Sequence, residues 1–215
     1  MDQTTSISCP LCHSHRSSAF FSDKRRGYRR CPDCYLVFVP TEQHLSADEE
    51  KAIYDLHQND PNDPGYRQFL ARLFHPLTER LYAQEKGLDY GCGPGPALTM
   101  MLRERGFDMQ TYDPLYADHP ERLRHAYDFI TCTEVVEHFR RPHDEFERLF
   151  ALLKTGGHLG VMTKMVIDAE AFARWHYKND LTHISFFSLS TFQWLAKKYR
   201  CRVEFLHSDV VIFQV

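Results

Sequence analysis

Four cysteines form two Cys-x-x-Cys pairs, Cys9/Cys12 and Cys31/Cys34, with eighteen residues between them. Such pairs put thiols on tight knuckles. Four thiolates then close a tetrahedral shell around zinc with no open position, so the expected role of Zn2+ is structural. Pro10 and Pro32 stiffen the knuckles. The competing reading is four unlinked buried thiols. About thirty residues cannot build a core of their own, so a metal would supply most of their folding energy. This part and the rest of the chain are expected to have separate cores. Between the pairs lies Lys24-Arg25-Arg26-Gly27-Tyr28-Arg29-Arg30. Five cations around one aromatic ring suit phosphates and a stacked base, or equally a solvated hairpin loop; both readings stay open. Cys92, Cys132 and Cys201 read as small core residues.

A second cluster is Asp89-Tyr90-Gly91-Cys92-Gly93-Pro94-Gly95, at the end of a predicted strand and the start of a helix. Glycines there let a ligand approach the backbone. A dinucleotide site wants Gly-x-Gly-x-x-Gly, but here the third glycine, Gly95, comes one position early and Pro96 stands in its place. Asp89 would repel a pyrophosphate and suits an ammonium group. Asp113, at the end of the next predicted strand, suits the two hydroxyls of a ribose. A ligand with an ammonium, a ribose and no phosphate is S-adenosylmethionine (SAM). The competing reading is a tight turn without a ligand.

A third cluster is Glu134, Glu137 and His138, which share a face if they lie on a helix. Two carboxylates beside an imidazole suit a hard divalent cation such as Mg2+, or zinc. His183, in Asp180-Leu181-Thr182-His183, offers a second imidazole from a predicted loop. A cation there would lower the pKa of an acceptor hydroxyl. Without one, His138 or His183 takes the proton. Both versions stay open, as does the metal's identity.

The elements that must carry these groups can be read from periodicity. Ser46 and Glu49 form a capping box for a helix through about His57. Pro61-Asn62-Asp63-Pro64-Gly65 is a turn. Tyr66, Phe69, Leu70, Leu73, Phe74, Leu77 and Leu81 follow a helical period, with a kink or break expected at Pro76. From Gly87 onward strands and helices alternate. Strands are predicted at 88–90, 110–112, 127–131, 158–163, 203–206 and 210–215. Helices are predicted at 97–105, 134–139, 143–153, 169–177 and 190–199. The alternation predicts a mostly parallel sheet with helices on both faces. Only His207-Ser208-Asp209 separates the last two strands, which therefore pair antiparallel. The divisions are a zinc ribbon over 1–40, a helical linker or substrate cap over 41–84, and the catalytic domain over 85–215.

The chain has 215 residues, 43% hydrophobic and 26% charged, with a net charge of −3. That excludes disordered and collagen-like classes and a surface that is basic throughout. No apolar run is long enough to span a bilayer, and the N-terminus lacks the pattern of a signal peptide. The expected setting is cytoplasmic, with no membrane and no obligate protein partner evident.

Leu88-Asp89-Tyr90-Gly91-Cys92-Gly93-Pro94-Gly95 resembles the first motif of class I SAM-dependent methyltransferases, and Asp113 resembles their ribose-binding acid. Tyr127-Asp128-Phe129-Ile130 with Glu134 to Phe139 resembles their fourth strand and the helix after it. Leu153-Lys154-Thr155-Gly156-Gly157 resembles the turn before their fifth strand. The resemblance covers about residues 85–215. It implies an α/β, Rossmann-like, seven-stranded sheet with a reversed final strand. The N-terminal part resembles zinc ribbons fused to some members. Only thirteen residues separate Asp113 from Tyr127, so the usual helix and third strand must be abbreviated there. The acid near the adenine is therefore unassigned, with Asp118 and Glu121 as candidates. Glu134, Glu137, His138 and His183 resemble the metal site of small-RNA 2′-O-methyltransferases and the Glu-Glu-His set of ubiquinone-biosynthesis O-methyltransferases.

The expected function is SAM-dependent methylation, on a hydroxyl of a small molecule or an RNA, possible with or without a metal. Asp89, Gly91, Gly93, Gly95 and Asp113 would hold the cofactor. Phe69, Phe74 and Trp175 are candidates to cover the substrate or to pack as core. The alternative is a ribbon-based nucleic-acid or partner-binding module on a vestigial methyltransferase fold.

Overall fold

The computed structural model describes residues 7–56 and 60–215. The predicted end of the first helix at His57 lies outside them. In chain order the strands and α-helices are β1 (Ser18–Ser22), β2 (Gly27–Arg30), β3 (Val37–Phe38), α1 (Ala47–Tyr54), α2 (Pro64–Thr78), β4 (Lys86–Tyr90), α3 (Ala97–Glu104) and β5 (Asp108–Tyr112). They continue with β6 (Tyr127–Thr133), α4 (Pro142–Ala151), β7 (Leu153–Met162), α5 (Ala169–Arg174), β8 (Ser185–Phe186), α6 (Leu189–Tyr199), β9 (Arg202–Leu206) and β10 (Val210–Gln214).

The main sheet has the order β5-β4-β6-β7-β10-β9. The first four strands are parallel, and β10 runs antiparallel between β7 and β9. This is the expected α/β methyltransferase layout with a reversed final strand, β10. Among the described residues it has six strands rather than seven, because residues 114–126 make only a bridge from Asp113 to Ala117 and a 3-10 turn, Pro120–Arg124.

Successive residues of a strand point to opposite faces, and both faces of this sheet are covered. Ile130, Val211 and Phe213 face a cluster with Phe146, Phe187 and Phe192. Phe129, Val210 and Ile212 face Leu70, Leu73, Leu98 and Leu102 of α2 and α3. The predicted period of α2 is realised in its buried Leu70, Leu73 and Leu77. Asp63 caps that helix through the Tyr66 amide and Pro64 opens it, as expected for the first turn. Pro76 lies in the last turn, where few amide bonds remain to be lost, and the helix ends at Thr78. The Ser46/Glu49 capping box is formed.

Three predicted helices come out shorter. The turn after β6 is a single 3-10 turn, Val136–His138, and Glu134 stands outside it at φ +53°. The expected shared helical face of Glu134, Glu137 and His138 is therefore absent; tertiary contacts bring them together instead. Helix α4 stops at Ala151, and β7 begins at Leu153 and runs through Gly156 at φ +83°. Helix α5 stops at Arg174 and gives way to a 3-10 turn, His176–Asn179.

The cysteine-bearing segment forms a second, antiparallel sheet, β1-β2-β3-β8. Its last strand comes from far along the chain, which local periodicity does not report. Cys9, Leu11, Cys31, Cys34, Leu36 and Phe38 lie in one continuous apolar cluster with Ile130, Phe146 and Phe187. Leu11 O also contacts His143 Nδ1 on α4 at 3.0 Å. The expectation of separate cores is thus overturned.

The shared core yields a prediction. In the Cys9→Ser/Cys34→Ser double variant, elemental analysis should find the zinc lost. Calorimetry should show one unfolding transition lowered by about 10 °C or more, since the cysteines and the sheet melt as one unit. A low-temperature step confined to the first forty residues, with the main transition unmoved, would contradict it.

Candidate active site

The glycine loop starts where β4 ends. Gly91 and Gly93 have φ values of +76° and +61°, the left-handed region that side chains disfavour. A Cβ on Gly91 would come within 2.5 Å of the Val135 side chain. A Cβ on Gly93 would meet nothing within 4 Å, because that residue borders open space. Gly95 shows no such φ value and serves as the turn into α3.

Asp113 is the hub of this loop. One carboxylate oxygen accepts the Gly93 amide at 2.9 Å; the other accepts the Leu115 and Tyr116 amides at 2.8 and 3.1 Å. Asp89 is fully buried, and its two oxygens accept Thr131 Oγ1 at 2.7 Å and Thr99 Oγ1 at 2.8 Å. Burial pushes its carboxyl above the usual range.

These loops wall a cavity of about 730 Å³ at the C-terminal ends of β4, β5 and β6. That size suits a cofactor with a second small molecule. Tyr54 and Tyr66 reach it from the 41–84 segment, and Glu134, His138 and His183 from the far wall. Phe69 and Phe74 instead pack on the α2/α3 cluster, and Trp175 packs on Phe172, Tyr177 and Phe186. Asp118 and Glu121 are absent from the cavity wall among the described residues; the acid of α4 that reaches it is Glu145, tied to Tyr90 and Arg148.

The acids after β6 are withdrawn from water. Glu137 is 1% exposed. It accepts Thr163 Oγ1 at 3.0 Å and Tyr177 Oη on its other oxygen. Tyr177 Oη also lies 3.3 Å from Glu134 Oε2, so one hydroxyl bridges two carboxylates. Glu134 Oε1 is buried without a hydrogen-bond partner among the described residues. Burial pushes Glu134 up to about 7 and Glu137 up to about 8, the latter raised further by the charge of Glu134.

His138 Nδ1 lies 3.2 Å from Thr182 O, and His183 Nδ1 lies 2.8 Å from Tyr177 O. A carbonyl only accepts, so Nδ1 carries the proton in both rings and the neutral imidazole keeps its lone pair on Nε2. Asp180 Oδ2 stands 3.7 Å from His183 Nε2, too far for a hydrogen bond. Ligand atoms of Glu137, His138 and His183 all lie within 4.8 Å of one another. Glu134 stands outside that triplet and joins it through Tyr177. The sequence reading missed Tyr177, which is an aromatic among aromatics in Trp175-His176-Tyr177 and carries no spacing signal.

The four ribbon cysteines also converge. Cys9 and Cys34 Sγ atoms are 3.4 Å apart, as are those of Cys12 and Cys31. A tetrahedron with Zn–S bonds of about 2.3 Å has edges of about 3.8 Å, so the donors fit zinc after a small expansion. Of the basic run between the pairs, Arg25, Arg26 and Arg29 donate to backbone or side-chain acceptors of this chain. Three of the five cations are thus tied within the chain, while Lys24 and Arg30 are exposed.

Comparison with known proteins agrees with this geometry. A family profile described as a methyltransferase domain matches residues 63–204. Ubiquinone biosynthesis O-methyltransferases are distantly similar. That of Photorhabdus laumondii is 31% identical over 77 residues, covering 36% of this chain and 32% of the relative. That of Vibrio atlanticus is 33% identical over 73 residues, 34% of this chain and 31% of the relative. The matches thus span about a third of the relatives' length. Among solved structures, an Archaeoglobus fulgidus SAM-dependent methyltransferase shares the fold at a TM-score of 0.54 and 14% identity, over 69% of this chain and 94% of that one. A Burkholderia thailandensis 1,6-didemethyltoxoflavin-N1-methyltransferase, solved with S-adenosylhomocysteine, does so at 0.51 and 13%, over 92% and 97%. With its glycine loop, its Asp113 hub and two thirds of its length matched by that profile, the chain belongs to the methyltransferase-domain family.

Proposed function

We propose that the chain methylates a hydroxyl oxygen of a small molecule, with Glu137, His138 and His183 holding a divalent cation beside the acceptor. The convergence of those three donors carries the reading: His138 and His183 line the cavity, and Glu137 is buried beside them. Two further observations support the fit. Glu134 Oε1 is buried and unpartnered, and both imidazoles are oriented by carbonyls on Nδ1, the arrangement usual for metal-ligating histidines. The similarity to O-methyltransferases supports oxygen as the acceptor atom. A small acceptor is favoured over RNA because Arg25, Arg26 and Arg29, three of the five cations of the basic run, are engaged within the chain.

SAM bound in the cavity would supply an electrophilic methyl, and a divalent cation would make the acceptor hydroxyl more acidic. The rest falls to side chains of this chain. Gly91 and Gly93 keep the loop backbone open to the cofactor, and Asp113 fixes the loop by its amides. Asp89, held by two threonines, sets its carboxyl oxygens beneath the loop, where an ammonium group would lie. Tyr54 stands edge-on to His138 with ring centroids 5.3 Å apart, and with Tyr66 it excludes water from the acceptor side. Transfer is an in-line displacement, so holding both reactants in line is the main contribution.

The expectations concern the cofactor, the cation and pH, in that order. Asp113→Ala should weaken SAM binding in titration calorimetry by on the order of 1.5–3 kcal/mol, because the loop loses its charge-assisted anchor. Gly93→Val should fold yet bind less SAM still; wild-type affinity in either would remove that residue from the cofactor site. Glu137→Gln should abolish Mn2+ binding and transfer from labelled SAM to catechol-type acceptors while leaving SAM affinity nearly intact. A chelator should silence the wild type, and full turnover with chelator present would leave His138 as the base; methylation of total RNA and no small acceptor would overturn the substrate class.

The third concerns pH. In cation-free protein the buried carboxyls keep their protons up to about 7 and 8, whereas in the unfolded chain they lose them near 4.5. The folded state therefore holds more protons through that window, and stability should fall as pH rises from about 5 to about 8. In Glu137→Gln that decline should flatten; an equal decline in the variant would show that other groups cause it.

A further inference from the structure

A buried arginine in the hairpin between the cysteine pairs meets the backbone of residues 178–181. Arg26 is 5% exposed. Its Nη1 donates to Leu181 O at 2.9 Å, and its Nη2 to Lys178 O at 2.9 Å and Asp180 O at 2.8 Å. Its Nε donates to Tyr28 Oη at 3.0 Å. Arg25 Nη1 takes the carbonyl between them, Asn179 O, at 2.9 Å. Four consecutive carbonyls, 178 to 181, thus face two ribbon arginines. The carbonyls on either side, Tyr177 O and Thr182 O, face the Nδ1 atoms of His183 and His138.

This division of six carbonyls has a physical logic. The 3-10 turn His176–Asn179 ends here, and the last carbonyls of a helical turn lack partners within it. A guanidinium offers five N–H donors in a rigid fork and meets several carbonyls at once, which an ammonium cannot do with the same geometry. With 178–181 pinned outward, the two flanking carbonyls point to the histidines. The same loop is anchored beyond the clamp by Val39 N to Ile184 O and by Ile184 N to Glu137 O, each 2.9 Å, and by the β3–β8 pairing.

We propose that Arg26 is a positioning residue of the active site: by holding the carbonyls of Lys178, Asp180 and Leu181 it sets the loop that orients His183, His138 and Tyr177. The role of those three in the reaction rests on the site reading given above; the clamp itself does not. The ribbon is then a brace of the catalytic site rather than an independent binding module.

The test uses the full, zinc-replete chain as wild type, Arg26→Met, Arg26→Lys and the exposed control Arg30→Met. Hydrogen–deuterium exchange reads the clamp, Mn2+ titration reads the histidines, and SAM titration reads the distant loop. Removing several carbonyl bonds should raise exchange across 178–186 about tenfold in Arg26→Met, and Mn2+ affinity should fall about tenfold. Arg26→Lys should lie between, and carries the test alone if Arg26→Met does not fold. SAM affinity and exchange in 91–96 should stay as in wild type, and Arg30→Met should change nothing. Wild-type protection of 178–186 in a folded Arg26 variant overturns the clamp. A loosened segment with wild-type Mn2+ affinity overturns its role in positioning. If wild type itself binds no Mn2+, the metal reading fails, and the inference is judged on exchange and the His183 Nδ1 nitrogen resonance; an unshifted resonance in both Arg26 variants overturns it.

Discussion

Two carboxylates are kept out of water at the end of β6, and much of the surrounding architecture answers that constraint. An isolated charge in such a place costs several kcal/mol, so it must be neutralised, paired or hydrogen-bonded. Glu137 receives two hydroxyls, from Thr163 at the end of β7 and from Tyr177 on a distant turn. Glu134 shares the second of these and keeps one oxygen unmatched. It also adopts φ +53°, a conformation uncommon for a residue with a side chain. A buried, unmatched acid on a strained backbone is poor for stability and apt for a site that takes up a cation or a proton.

Satisfying that constraint requires a loop that the catalytic sheet does not provide alone. The segment 176–186 comes after β7 and α5 in the chain. The ribbon supplies the partners: β3 pairs with β8, and Arg25 and Arg26 take the turn's carbonyls. In return, the small ribbon sheet gains a fourth strand and a place in the common core. This explains why a run of five cations in a mildly acidic chain need not be a nucleic-acid surface. Arginine forks are the side chains suited to a row of unsatisfied carbonyls.

Legibility in the sequence followed contact range. The glycine loop, Asp113, the Ser46/Glu49 capping box and the closing hairpin are local, and each could be placed from neighbours in sequence. The cysteine pairs announced a common centre through their spacing, and the four thiols do converge. The conjunction of Glu137, His138 and His183 was readable as residue types, but the stated reason, a helical face shared with Glu134, was wrong. A tight 3-10 turn and a loop forty-five residues on bring three of them together. Tyr177, β8 and Arg26 were unreadable because their partners lie between about 40 and 155 residues away. Local periodicity holds no information about such pairs.

The shortened segment after Asp113 shows how the fold tolerates losing a strand. Without a third strand beyond it, β5 becomes an edge, with backbone groups open to pairing by another chain. Residues 114–126 cover that edge by side chain instead of by strand. The 3-10 turn Pro120–Arg124 brings Arg122 over it, and the guanidinium takes both Thr111 O and Thr111 Oγ1. The turn is itself fixed by Tyr127 Oη, which donates to Arg122 O at 2.8 Å. At the other end, Asp113 turns the chain sharply by accepting the amides of Leu115 and Tyr116. The same carboxylate holds Gly93 in the glycine loop. Loop geometry and edge protection therefore meet at one side chain, so a thirteen-residue connection does the work of a helix and a strand while leaving the cavity mouth at Asp113 intact.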